Sequence, residues 1–180
     1  MLRRIAKLLV TLLLIVQIGA VPAQAASLKG HIDTLDGYKF LYPNGWVEVP
    51  FKSDADTVYH DLIEPTENVS VIISQVPGNK KLTDLGTPTE VGVKLGKSAI
   101  APAGSGREAD LTSAETEEIQ GKTYYYLEYL VKIGEKQRYN LASVVVSRGK
   151  LFTCNASTTA RRWPKMKKTL TEMIHSFNVA

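Results

Sequence analysis

One short segment, Lys122 to Ile133, constrains the fold more than any other part of the sequence. It is rich in residues that favour strands, and four of them are Tyr124, Tyr125, Tyr126 and Tyr129. Successive side chains of a strand point to opposite faces, so these rings lie on both sides of the sheet. Because both faces then need cover, we predict an α+β fold, an antiparallel sheet with helices on both faces (an α/β/α sandwich).

Turn-forming residues divide much of the remaining chain into further strands. Pro43, Asn44 and Gly45 predict a tight turn, and Glu64, Pro65 and Thr66 predict a second one. Residues 77–88 and 101–110 are rich in turn formers and predict loops. Besides 122–133, the strands expected are 38–42, 46–49, 57–63, 68–76, 111–119, 138–147 and 150–157.

Two helices are predicted to cover this sheet. Thr87, Pro88 and Glu90 form a typical helix start, and the helix is expected to reach Ile100 with Val91, Leu95 and Ala99 facing inward. The second helix begins after Thr159, and at 100° per residue one apolar stripe comprises Trp163, Met166, Leu170, Met173, Ile174 and Phe177. Its opposite side carries Arg161, Lys165, Lys168, Glu172 and His175.

The first 25 residues have the layout of a secretory signal peptide. Arg3, Arg4 and Lys7 precede a short apolar run that is followed by Ala23-Gln24-Ala25. We expect cleavage after Ala25 and a single domain over residues 26–180, the alternative being an uncleaved anchor. The sequence has no cysteine at this position, so we do not expect a lipoprotein.

The charge of the expected domain differs from that of the whole chain. The chain carries 22 basic and 18 acidic side chains, and three of the basic ones lie within residues 1–25. Residues 26–180 therefore hold 19 basic and 18 acidic groups, a net charge of +1. This balance removes the general argument for a polyanion partner. The aromatic residues of the last helix are expected in the core, where they cannot stack on bases, so we predict no nucleic-acid binding.

The sequence contains no motif that requires an enzyme. It has no G-x-S-x-G, no Walker loop and no G-x-G-x-x-G, and its single cysteine, Cys154, is expected to be a buried hydrophobe. His60 and Asp61 could form two parts of a hydrolase triad with a serine. We predict a non-enzymatic protein and leave this pair as the alternative.

Clusters of acidic residues and histidines are candidate metal sites. His31, Asp33 and Asp36 form one cluster, and a longer one around the second turn contains the ligands that we favour: His60, Asp61 and Glu64. Carboxylates with imidazole suit zinc or manganese, and carboxylates alone suit calcium. The alternative is a structural or solvated role, including a core position for His60, which alternates with Val58 and Leu62.

The basic side of the last helix is the best candidate for docking a partner. It consists of Arg161, Arg162, Lys165 and Lys168. Such a surface would favour a negatively charged partner and would bind it in a salt-sensitive way. The alternative is an ordinary solvated helix face.

Five segments, in order along the chain, resemble the PsbP family of extrinsic photosystem II proteins, most closely its cyanobacterial and PsbP-like chloroplast branches. They are DGYKFLYPNGW (36–46), YHDLIE (59–64), ENVSV (67–71), GKTYY (121–125) and RRWPKM (161–166). The resemblance implies a PsbP-like α/β/α sandwich around an antiparallel sheet. It spans about residues 33–178.

The resemblance also implies a function and a location. We expect a monomer in the thylakoid lumen, peripheral to the membrane and bound to lumenal subunits of photosystem II, where it aids assembly or stability of the oxygen-evolving complex. Calcium and chloride retention is a property of the plant member, so calcium is the cofactor that the resemblance suggests, and no firmly bound cofactor is expected. The alternatives are an exported ligand- or metal-binding module without photosystem II, and a periplasmic location.

Overall fold

The computed structural model describes residues 27–50 and 55–180. The expected signal peptide, residues 1–25, lies outside the described residues. The strands are β1 (Leu28–Asp33), β2 (Tyr38–Pro43), β3 (Trp46–Glu48), β4 (Ala55–Asp61), β5 (Asn68–Gln75), β6 (Arg107–Ile119), β7 (Lys122–Ile133), β8 (Lys136–Ser147), β9 (Lys150–Thr159) and β10 (Asn178–Val179). The helices are α1 (Pro88–Leu95), which continues as a π-helical turn (Gly96–Ile100), α2 (Trp163–His175) and a short 3-10 helix (Leu82–Leu85).

A seven-stranded antiparallel sheet is the centre of the fold. Its strand order is β3-β4-β5-β9-β8-β7-β6, so most neighbours are consecutive hairpins and β9 returns to pair with β5. A second sheet of three strands has the order β1-β2-β10. The α+β fold with a mainly antiparallel sheet is thus confirmed.

The tyrosines of β7 lie on both faces of the sheet, as predicted. Tyr124 and Tyr126 belong to the larger apolar cluster, together with the α2 stripe and the three-stranded sheet. Tyr125 and Tyr129 belong to the smaller cluster beneath α1. The Tyr129 hydroxyl donates to the Gly92 carbonyl at 2.8 Å, so this buried ring also fixes the position of α1.

Helix α1 lies very close to the sheet because of a glycine. A Cβ atom at Gly92 would come within 2.8 Å of the Leu111 side chain and 3.2 Å of Leu127. This approach places α1 over β6 and β7. The same face of β5 and β9 carries polar side chains instead, so helical cover of this face is partial.

Two local predictions were wrong, and the alternative core position of His60 is not observed. Ala99 is exposed and Ile100 is buried, because the π-helical turn changes the spacing at which side chains return to the sheet. Strand β6 begins at Arg107, within the predicted loop, because it pairs with the full length of β7. His60 does not point into the main core, since Thr57 and Tyr59 occupy that face of β4.

The last helix begins at Trp163, later than the predicted start after Thr159, and its apolar stripe is confirmed. Met166, Leu170, Met173, Ile174 and Phe177 are buried, and Trp163 packs at the edge of the same cluster. No helix in the described part of the chain is long and apolar enough to span a membrane.

The start of α1 generates a test of pH-dependent stability. The Thr87 backbone N–H donates to the Glu90 carboxylate at 2.8 Å, which holds the pKa of Glu90 below its usual range. A lowered folded-state pKa stabilises the fold above the unfolded-state pKa, and this contribution is lost as the pH falls through the folded-state value. In Glu90→Gln we therefore expect a smaller loss of stability between about pH 7 and pH 3, measured by urea unfolding.

The matched control is Glu135→Gln in the β7–β8 turn, where the carboxylate accepts no hydrogen bond from the described residues. Thr87→Ala, which removes the cap itself, should cost about 1 kcal/mol at pH 7. Equal acid sensitivity in Glu90→Gln and Glu135→Gln would contradict the assignment.

Candidate functional site

The start of α2 is tied to the β4–β5 hairpin by an ion pair whose carboxylate is buried. Glu67 is fully buried, and its Oε1 accepts from Thr158 Oγ1 at 2.6 Å. Arg162 donates to both carboxylate oxygens, from Nε at 2.5 Å and from Nη2 at 3.0 Å. These bonds raise the pKa of Arg162 above its usual value. Such a charge-assisted, two-point contact satisfies the buried carboxylate.

This ion pair divides the four predicted docking residues. The Arg162 guanidinium is used to hold the fold together, whereas Arg161, Lys165 and Lys168 are exposed. We call these three residues the basic helix surface. Lys168 lies 3.9 Å from Glu172, one turn further on, and neither Arg161 nor Lys165 forms an ion pair with the described residues. The basic helix surface therefore offers positive charge to a partner.

Neighbouring residues fix the orientation of this surface. The Trp163 ring stacks on Tyr139 with ring centroids 4.3 Å apart and nearly parallel planes. Lys167 Nζ lies 5.2 Å from the Trp163 ring centre and 3.8 Å from Glu128. Lys167 thus packs against the body of the protein, and the basic helix surface points away from the sheet.

The predicted metal ligands lie on the β4–β5 hairpin. Asp61 Oδ1 accepts from the backbone N–H groups of Ile63 and Glu64 at 2.8 and 2.7 Å, so this carboxylate caps the turn. Glu64 accepts from the Thr66 hydroxyl, and His60 Nδ1 lies 2.8 Å from the Asp61 carbonyl oxygen. The three side chains are close along the chain, but each is partly engaged by its own hairpin.

The structure brings a different acidic group together. Carboxylate oxygens of Asp33, Asp36 and Asp56 lie within 4.8 Å of one another. Each already has a protein partner: the Asp33 carboxylate caps its own turn, Asp36 lies 2.7 Å from Lys150 Nζ, and Asp56 accepts from the Tyr38 hydroxyl at 2.5 Å. Within residues 27–50 and 55–180, this is the set with the spacing of a metal site, and it does not include His60, Asp61 or Glu64. This group was not predictable from the sequence, because Asp56 is distant along the chain and joins the other two aspartates only through tertiary contacts.

The two groups considered for enzyme chemistry have other roles in the fold. The His60 ring contacts the backbone carbonyl of Asp61 rather than its carboxylate, so the carboxylate does not orient the imidazole. Cys154 is completely buried, and burial raises the pKa of its thiol. The predicted role of Cys154 as a buried hydrophobe is confirmed.

Comparisons with known proteins are consistent with this geometry. A family model described as PsbP matches residues 26–179. The chain is 45% identical to CyanoP of Thermosynechococcus vestitus over 159 residues, which cover 86% of this chain and 87% of the relative. It is 36% identical to the chloroplastic PsbP-like protein 1 of Arabidopsis thaliana, over 86% of this chain and 67% of that protein.

Solved structures agree with the fold. The solution structure of CyanoP from Synechocystis sp. PCC 6803 matches with a TM-score of 0.74 and 43% identity, covering 91% of this chain and 99% of that one. The Ran-binding protein Mog1p of Saccharomyces cerevisiae matches with a TM-score of 0.57 and 10% identity, over 86% of this chain and 96% of that one. The latter likeness concerns the fold alone.

The Glu67–Arg162 pair leads to a prediction about stability. Arg162→Ala leaves a fully buried carboxylate without its counter-charge and should destabilise the protein by about 3 kcal/mol in urea unfolding. Lys165→Ala, three residues away on the exposed side, removes the same charge and should change stability by less than about 0.5 kcal/mol. Equal effects of the two substitutions would show that the ion pair does not anchor α2.

Proposed function

Because this chain belongs to the PsbP family, we propose that it is a non-enzymatic extrinsic protein of photosystem II, acting peripherally on the lumenal side of the thylakoid membrane. The single observation that carries the proposal is the family match over residues 26–179, which spans the complete fold described above. The chain's export signal, predicted over residues 1–25, is what such a location requires.

The basic helix surface is the part of the molecule that we propose to contact photosystem II. Lys165 and Lys168 lie three residues apart and share one side of α2, and Arg161 lies in the turn that precedes the helix. Their charges attract acidic side chains of lumenal subunits and speed association more than they strengthen the final complex. Arg162 is left out of this surface because its charge is matched by Glu67.

The finer function proposed is help in assembling or stabilising the oxygen-evolving complex. A monomer with a nearly neutral domain and one local basic surface suits reversible binding to a large complex, since salt-sensitive contacts of this kind form and dissociate readily. Retention of calcium and chloride, the role of the plant member, is a second part of the proposed function. The competing proposal is an exported ligand- or metal-binding module that works without photosystem II.

A salt-wash experiment tests the association. Photosystem II complexes are purified from thylakoids at low ionic strength, and the protein is followed by immunoblotting before and after a high-salt wash. We expect the protein to copurify and then to be released, because exposed ion pairs are screened by salt. Its absence from every photosystem II assembly intermediate would falsify the proposal.

Charge reversal tests the docking surface separately. The triple variant Arg161→Glu, Lys165→Glu and Lys168→Glu should lower the recovered protein by about tenfold, since the loss of steering charges slows association. The matched control reverses three exposed lysines on other elements, Lys39, Lys80 and Lys97, and should copurify normally. Circular dichroism checks that both variants are folded. Normal recovery of the α2 variant would exclude this surface.

Cation binding is tested by calorimetry with calcium, manganese and zinc. If His60, Asp61 and Glu64 form the site, His60→Ala should weaken binding of zinc or manganese by about tenfold or more, whereas His175→Ala on α2 should leave it unchanged. Equal heats of cation binding to the native protein and His60→Ala would exclude His60, Asp61 and Glu64 as the site. Loss of binding in Asp56→Asn would place the cation at the Asp33–Asp36–Asp56 group instead.

A further inference from the structure

A polar groove crosses the sheet face that α1 leaves uncovered. It has a volume of about 390 Å³ and lies between the π-helical turn after α1 and strands β5, β9 and β8. This volume falls within the range of small-molecule sites. The polar groove is lined mainly by amide, hydroxyl and guanidinium side chains, including those of Asn68, Asn140, Asn155, Ser157, Arg107 and Arg138.

Strand register places these polar groups in one row. Asn140 on β8 lies opposite Ser157 on β9, and Ser157 lies opposite Asn68 on β5. Asn140 Nδ2 donates to Asn155 Oδ1, and Ser157 Oγ donates to Asn68 Oδ1, both at 3.3 Å. These long bonds hold the side chains in place, and an amide or hydroxyl that makes one bond can still make others with a ligand.

Two guanidinium groups stand at one end of the row. Arg138 is half-buried, and its Nη2 donates to Ser157 Oγ at 2.7 Å and to the Thr66 carbonyl. Its Nε and Nη1 donate to no described residue, so three N–H donors are available, in the fork geometry that suits oxyanions. The Arg107 guanidinium, from the start of β6, lines the same groove and has no polar partner among residues 27–50 and 55–180.

The two positive charges are close together and lack a counter-charge in the groove. Neither arginine forms an ion pair within the described part of the chain. Burial and, second, the charge of Arg107 lower the pKa of Arg138, against the opposing effect of Glu67 and Glu64. Glu67 is already matched by Arg162, so an anion placed between the two guanidiniums would relieve their repulsion.

We propose that the polar groove is a binding site for a small oxyanion, a carboxylate or phosphate group held by Arg107 and Arg138, with the asparagine and serine row receiving the polar body of the ligand. The polar groove lies on the sheet face opposite to α2, and at its edge Arg138 also lines a neighbouring pocket together with Arg161. Oxyanion binding is measured on the purified protein alone, so the result does not depend on association with photosystem II.

The test is an NMR titration of the purified protein with inorganic phosphate and, separately, with citrate, at constant ionic strength. At least one of these oxyanions should give saturable shifts of the amides that line the groove. Arg107→Gln should weaken this binding by about tenfold or more, because it removes a charge-assisted contact at an exposed position. The Arg107 side chain is exposed and forms no hydrogen bond or ion pair with the described residues, so the variant is expected to fold.

The matched control is Lys39→Gln, which removes one exposed positive charge from β2, on the α2 side of the sheet. It should bind the oxyanion with unchanged affinity. The proposal is overturned if neither oxyanion gives saturable shifts in the groove, or if Arg107→Gln and Lys39→Gln weaken binding equally. It is also overturned if the shifts occur next to basic residues all over the protein rather than in the groove.

Discussion

Burial of β7 on both faces is the constraint on which the rest of this structure depends. Tyr124 and Tyr126 require α2 and the three-stranded sheet on one side, and Tyr125 and Tyr129 require α1 on the other. Fully burying one such aromatic ring contributes roughly 2 kcal/mol or more, so a strand with four of them is stable only between two layers. The basic helix surface is on the side of the α2 layer that faces away from β7, whereas the polar groove lies where the α1 layer leaves the sheet uncovered.

The sequence predicts those elements whose signal is local. The α2 stripe is an example, because five of its six residues are buried and helical periodicity alone identifies them. Strands β7 to β9 are similar, since each is bounded by turn residues. Signals that depend on distant residues are missed: β10 has only two residues and exists because it pairs with β2, and Ala99 is misplaced because a π-helical turn has no clear local signature.

The candidate sites show the same division. Arg161 and Arg162 are adjacent and chemically identical, yet one is exposed and the other is held by Glu67, which is 95 residues away in the sequence. No local pattern separates them. Likewise, Arg107 and Arg138 belong to different strands, and only the order of β6, β7 and β8 brings them to one groove. The basic helix surface was therefore predictable as one side of a helix, while its exact residues and the polar groove required the tertiary structure.

Because Cys154 is completely buried, chemical labelling of its thiol can report unfolding of the protein. The thiol lies in the middle of β9, between β5 and β8, under the apolar layer that contains α2. A thiol reagent in water reaches it only when the central strands separate, so the labelling rate measures how often the whole sheet opens. Since Cys154 is the chain's single cysteine, this rate can be followed in the native sequence without introducing a probe.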